Sequence, residues 1–154
     1  MSTNDRMCQP ADNPLTTALK RLPHGPEFRF IDRLLSLEAG TRGVAEYRVR
    51  GDEPFLPGHF PEQALFPGVL LIEAAAQLAG TVAQSGTQVP SLSGLRLTAL
   101  RGAKILGTAR PGDLIRIEAR VIGRLGSLIQ VNATASVDGK TVLQTELTLS
   151  GEPT

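Results

Sequence analysis

The chain has 154 residues, and 16 basic against 15 acidic side chains leave a net charge of +1. That balance argues against affinity built on a basic face for nucleic acid, and an aromatic share of 4% without tryptophan offers few platforms for stacking bases. The length fits one domain that buries about two thirds of its unfolded surface, and the single cysteine, Cys8, excludes an internal disulfide.

Residues 1–14 are polar with two prolines and are expected to form a loose arm ahead of one domain over 15–154. They hold no apolar signal core, which points to a cytoplasmic protein. "LTTALKRLPHG" predicts a short helical turn stopped by Pro23 and Gly25. "FRFIDRLLSLEAG" predicts a strand ending at Gly40, and "RGVAEYRVRG" a second, with Val44 and Glu46 alternating against Ala45, Tyr47 and Val49. Four prolines in residues 52–67 predict an irregular loop.

From Pro67 the pattern becomes apolar nearly all round, through Val69, Leu70, Leu71, Ile72, Leu78 and Val82, with many alanines between. Proline suits a first helical turn and alanine favours helix. A helix apolar on every face is expected to be buried on every face. The rest predicts strands. "LSGLRLTALRGAKI" is one; "DLIRIEARVIG" sets Ile115, Ile117, Ala119 and Val121 against Arg116, Glu118 and Arg120. "SLIQVNATASV" alternates from Ile129 to Val137, Asp138-Gly139 marks a hairpin turn, and "TVLQTELTLS" places Leu143, Thr145, Leu147 and Leu149 on one side. One long helix with five or six antiparallel strands is an α+β domain. A curved sheet wrapped round a central helix, the hot-dog fold, is the arrangement that hides such a helix.

The chemistry gathers in residues 55–80, "FLPGHFPEQALFPGVLLIEAAAQLAG". His59 lies between Gly58 and Pro61, in a backbone of restricted path. The bland alternative is a packed or solvated loop histidine. Glu73 is the one carboxylate of the apolar helix. Either it reaches the surface through a gap, or burial raises its pKa so that it carries a proton near neutrality. Gln77, one turn later, is placed to orient it. Gly68 and Val69 supply free amides at the helix N-terminus, which favour an oxygen that gains negative charge. A base, an acid and an oxyanion site suit proton removal beside a carbonyl with loss of a neighbouring hydroxyl. No metal cluster, phosphate loop, dinucleotide fingerprint or Gly-x-Ser-x-Gly competes.

"LPHGPEFRFIDR", "EPFLPGHFPEQALFPGVLLIEAAAQLAG" and "RPGD" resemble the (3R)-hydroxyacyl-acyl carrier protein dehydratases of type II fatty acid synthesis, from about Leu22 to the end of the chain. The resemblance implies a hot-dog fold, a homodimer or trimer of dimers, and dehydration of 3-hydroxyacyl thioesters on acyl carrier protein to trans-2-enoyl thioesters without a cofactor. It implies catalysis by His59 and Glu73, an oxyanion donor at Gly68 beside Val69, and a substrate-binding role for Phe60. A sister, isomerising branch carries aspartate where this chain has Glu73, so the glutamate points to the non-isomerising branch. The resemblance also implies that His59 of one subunit meets Glu73 of another.

The chain departs from the family pattern in three places. Ala64 stands where "GHFPxxP" ends in proline, Gly25 replaces a basic residue, and the stretch after the helix lacks the usual aromatic gate. A specialised lipid or polyene substrate fits those changes. A hot-dog thioesterase and a non-catalytic acyl-thioester-binding subunit remain as alternatives, although His59 speaks against the thioesterase. Arg96, Arg101, Lys104 and Arg110 are candidates for docking the acidic carrier, against a plain solvated strand face.

Overall fold

In the computed structural model, residues 13–87 and 89–154 are described. Residues 1–12, which include Cys8 and most of the expected arm, lie outside them. Asn13 and Pro14 do not belong to an arm: the Asn13 side chain accepts from the Leu15 amide and caps helix α1 (Pro14–Lys20).

Strands β1 (Arg33–Glu38), β2 (Arg42–Arg48), β3 (Leu92–Ile105), β4 (Leu114–Leu125), β5 (Leu128–Val137) and β6 (Lys140–Pro153) form one antiparallel sheet in the order β1-β2-β4-β5-β6-β3. The expected alternation holds in its middle, where Ile115, Ile117, Ile129, Val131 and Leu147 are buried and their sequence neighbours are not, while Leu143 is buried beside an equally buried Val142. Asp138 and Gly139 both take positive φ, at 51° and 76°, which closes the tight β5–β6 turn.

Helix α2 (Gly68–Ala83) lies across the concave face. Leu71, Ala74, Ala75, Leu78, Ala79 and Val82 are buried against the sheet. The approach to β2 is close: a side chain at Gly43 would come within 2.6 Å of Val82. At the far end Arg124 of β4 donates to the carbonyl of Ala83 at 3.0 Å and of Gly40 at 3.2 Å, satisfying an otherwise free helix-end oxygen. Burial holds that guanidinium below its usual pKa.

Two expectations are corrected. The first strand does not begin at Phe28; residues Pro26–Phe28 form a 3-10 turn and the chain reaches the sheet only at Arg33. Nor is α2 buried on every face within one chain. Val69 is 67% exposed, and Leu70, Ile72, Glu73, Ala76 and Gly80 are partly open. The sheet curves over one side of the helix, and β3, which should shield the other, is an edge strand paired, among the described residues, only with β6. Three register shifts interrupt its pairing, and Leu100 and Ile105 stay exposed on it, with Leu106 just beyond.

Candidate active site

The loop bearing His59 is fixed at both ends before its chemistry is considered. At its start the buried Glu53 carboxylate accepts from the amides of Arg50 and Gly51 and from the Tyr47 hydroxyl, each at 2.8 Å. Burial works to raise the pKa of Glu53, but these bonds outweigh it and hold the carboxyl below its ordinary value. Burial, followed by the hydrogen bond to Glu53, pushes the Tyr47 phenol up. At the loop's end Phe66 donates its amide to Ala109 at 2.8 Å. Between these anchors Phe55 and Phe66 meet Phe30 edge-on, at ring separations of 6.0 and 5.8 Å. The prolines did predict an irregular path; it also contains a 3-10 turn, Leu56–Gly58, whose buried Leu56 joins the core.

His59 follows that turn and donates its amide to Leu56. Its Nδ1 lies 2.9 Å from the carbonyl oxygen of Leu65. A carbonyl only accepts, so Nδ1 carries the hydrogen and the neutral ring keeps Nε2 free as a base. Phe60 beside it is at φ 56°, 61% exposed, with its ring edge-on to the imidazole at 4.7 Å.

Gly68 and Val69 open α2 immediately after Pro67. Neither amide meets an acceptor among the described residues, so both point the positive end of the helix at whatever lies outside. A side chain at Gly68 would come within 2.7 Å of Ile105, which walls this position from the end of β3.

Glu73 sits at a different place. It lines a cavity of about 460 Å³ whose walls include Leu22, His24, Gln77, Leu95 and Leu97. β3 gives the cavity Leu95, Arg96 and Leu97 and no aromatic ring, in the stretch without the usual aromatic gate. The Glu73 side chain is 25% exposed, and its Oε1 is approached by two nitrogens: Gln77 Nε2 at 3.0 Å and His24 Nε2 at 3.2 Å. Gln77 is 2% exposed and fully engaged, since its second N–H goes to the carbonyl of Phe28 and its oxygen accepts from the amide of Phe30. Those backbone partners fix which end of the amide faces Glu73.

The structure therefore joins Glu73 with Gln77, and His59 with Phe60 beside the loop, but no hydrogen bond or ion pair links His59 to Glu73 within one chain. His59, Phe60, Gly68 and Val69 do not line the cavity. Arg96 does, while Arg101 and Lys104 are exposed further along β3 and Arg110 is exposed in the connection to β4. Among the described residues no three His, Cys, Asp or Glu side chains converge to hold a metal ion. No helix among them is long and apolar enough to cross a membrane.

Sequence reasoning passed over His24 and Glu53. The signal for His24 was present: the chain's two histidines are both bracketed by glycine and proline, in Pro-His-Gly-Pro and Gly-His-Phe-Pro.

A model of the FabA-like domain matches residues 22–146. The chain belongs to the FabA-like family. Among its relatives is a 3-hydroxyacyl-[acyl-carrier-protein] dehydratase FabZ of Staphylococcus saprophyticus, 37% identical over 129 residues that cover 84% of this chain and 88% of the relative. A protein of the same name in Anaeromyxobacter dehalogenans is also 37% identical over 129 residues, covering 82% of this chain and 83% of the relative. The FabA-like match spans the His24 turn, the His59 loop, α2 and most of the sheet. A solved dehydratase heterocomplex, ApeI:P of Xenorhabdus doucetiae, shares the fold at a TM-score of 0.73, with 16% identity over 86% of this chain and 90% of that one. The sheet wrapped round α2 is the hot-dog fold expected from the sequence.

Proposed function

We propose that this protein is a hydro-lyase that dehydrates 3-hydroxyacyl thioesters on acyl carrier protein to trans-2-enoyl thioesters, in fatty acid or specialised lipid biosynthesis. Its FabZ relatives carry that activity in their names, and glutamate at position 73 fits the non-isomerising branch. The observation that carries the proposal is Glu73, a carboxylate at a cavity large enough for an acyl chain, with Leu22, Leu95, Leu97 and Leu149 among its walls.

The step balances without a redox partner. Nε2 of His59 takes the proton from the carbon beside the thioester carbonyl. The electron pair left behind becomes the new carbon–carbon double bond as the bond to the neighbouring hydroxyl breaks. Glu73 gives its proton to that hydroxyl, which leaves as water. The amides of Gly68 and Val69 stabilise charge on the thioester oxygen. Gln77 orients Glu73, and Phe60 contacts the substrate. No cofactor enters. The working unit is a homodimer, with trimers of dimers as the larger assembly, in the cytoplasm.

The test is hydration of a crotonyl thioester by the purified protein, run in both directions, beside an assay for free thiol. Reversible hydration that survives exhaustive chelation, without thiol release, is the expected result. Thiol release at a comparable rate would make the protein a thioesterase. Neither activity would make it an acyl-thioester-binding subunit.

A further inference from the structure

We propose that His24 is a positioning residue which, together with Gln77, keeps the acidic proton of Glu73 on Oε2. The inference deepens the dehydratase proposal and rests on it for the use made of that proton, but the arrangement itself is geometric. Oε1 of Glu73 has His24 Nε2 at 3.2 Å and Gln77 Nε2 at 3.0 Å, whereas Oε2 has no partner among the described residues.

The direction of the His24 contact follows from its other nitrogen. Nδ1 of His24 is buried with no hydrogen-bond partner among the described residues. A hydrogen on Nδ1 would be an orphaned buried N–H, rarer in folded proteins than an acceptor left idle. The ring is therefore the tautomer with its hydrogen on Nε2, the nitrogen that lies 3.2 Å from Oε1 of Glu73, a close polar contact outside hydrogen-bond geometry. Gln77 donates, because Phe30 and Phe28 have already fixed its amide. An oxygen that accepts the Gln77 N–H and has the positive end of a second N–H dipole 3.2 Å away is a poor seat for a proton of its own. The acid proton is left on Oε2, the oxygen free to face substrate.

The turn is built to hold His24 there. Arg29 donates to the carbonyl of His24 at 3.0 Å and to that of Leu22 at 3.3 Å, stapling the turn. Phe28 stacks on the imidazole at 6.3 Å between ring centres. Packing and the N–H dipole are thus separable functions of one side chain, and substitutions can divide them.

His24→Phe keeps an aromatic ring against Phe28 without an N–H; His24→Gln keeps an N–H of similar reach without the ring. Loss of the N–H is expected to lower kcat about tenfold with KM little changed, and His24→Gln should recover to within about threefold of wild type. In a Glu73→Gln background, His24→Phe should cost nothing further. His24→Leu stands in if His24→Phe does not fold by circular dichroism. The clamp is also read without turnover, through the Glu73 carboxyl 13C resonance, assigned by its loss in Glu73→Gln. His24→Phe should move that resonance and His24→Gln restore it. Inactive wild-type protein would sink the dehydratase proposal and leave the resonance to decide on the clamp. Wild-type kcat in His24→Phe, failure of His24→Gln to rescue, additivity with Glu73→Gln, or an unmoved resonance would each overturn the role given to His24.

Discussion

Gln77 accepts a hydrogen bond at 2.9 Å from the backbone amide of Phe30, 47 residues earlier in the chain. Through it the segment that carries His24 is tied to the helix that carries Glu73. Replacing Gln77 by leucine leaves the buried Phe30 N–H and the Phe28 carbonyl without partners. Each such loss costs about 1–3 kcal/mol, so a destabilisation of about 2–5 kcal/mol is expected by urea denaturation with an unchanged slope. A change under about 0.5 kcal/mol, the scale of a neutral surface substitution, would mean that the segment is held by something else.

How far such ties are legible in sequence depends on how local they are. The in-and-out alternation of β4, β5 and β6 is written in period two, and the buried set Ile115, Ile117, Ile129, Val131, Leu143 and Leu147 follows from it. β3 is less legible because its register shifts reset which side chains face inward. His59 and Glu73 stood out as polar residues in an unusual local setting. His24 stood in a similar setting, but its partner lies on α2, and only the folded chain brings them together. The late start of β1 was hidden for the same reason, since Phe28 and Phe30 are held by Gln77 rather than by neighbouring strands. The exposed flank of α2 was unreadable from its composition, which is apolar whether a sheet or a second subunit covers it.

Glu53 gives the fold a defined response to acid. Its folded pKa is depressed, so its bonds to Tyr47, Arg50 and Gly51 contribute fully above the unfolded carboxyl pKa and are lost as pH falls through the lower folded value. Glu53→Gln puts an NH2 group where an acceptor is needed and is expected to cost about 2–4 kcal/mol at pH 7. The gap between wild type and variant should narrow as denaturation is repeated at lower pH. A gap that stays constant into acid would show that ionised Glu53 is not what holds the loop.

Arg101 and Lys104 are exposed on β3, opposite Glu146 and Gln144 of β6. If they read an acidic carrier, Arg101→Glu with Lys104→Glu raises KM for carrier-bound substrates and leaves a pantetheine or coenzyme A thioester little changed. The difference should shrink with added salt, because exposed charge pairs are screened. Equal effects on both substrates would remove these residues from carrier recognition.

His59 and Glu73 each have partners within the chain but none in each other. The open flank of α2 at Val69 and the unpaired edge of β3, with Leu100 and Ile105 exposed, offer a surface for a second copy. We propose that each active site takes His59 from one subunit and Glu73 from the other. His59→Ala and Glu73→Gln should each lower turnover about 10²-fold or more, the scale of losing a general acid or base. Unfolded and refolded together, the two inactive variants should then regain activity. In a hybrid dimer one site holds both intact residues and the other holds both lesions. Equal mixing makes half the dimers hybrids with half their sites working, so about a quarter of wild-type activity returns for a two-fold symmetric pair. Refolded mixtures shown by mass spectrometry to contain hybrids, yet without activity, would place both residues in one chain.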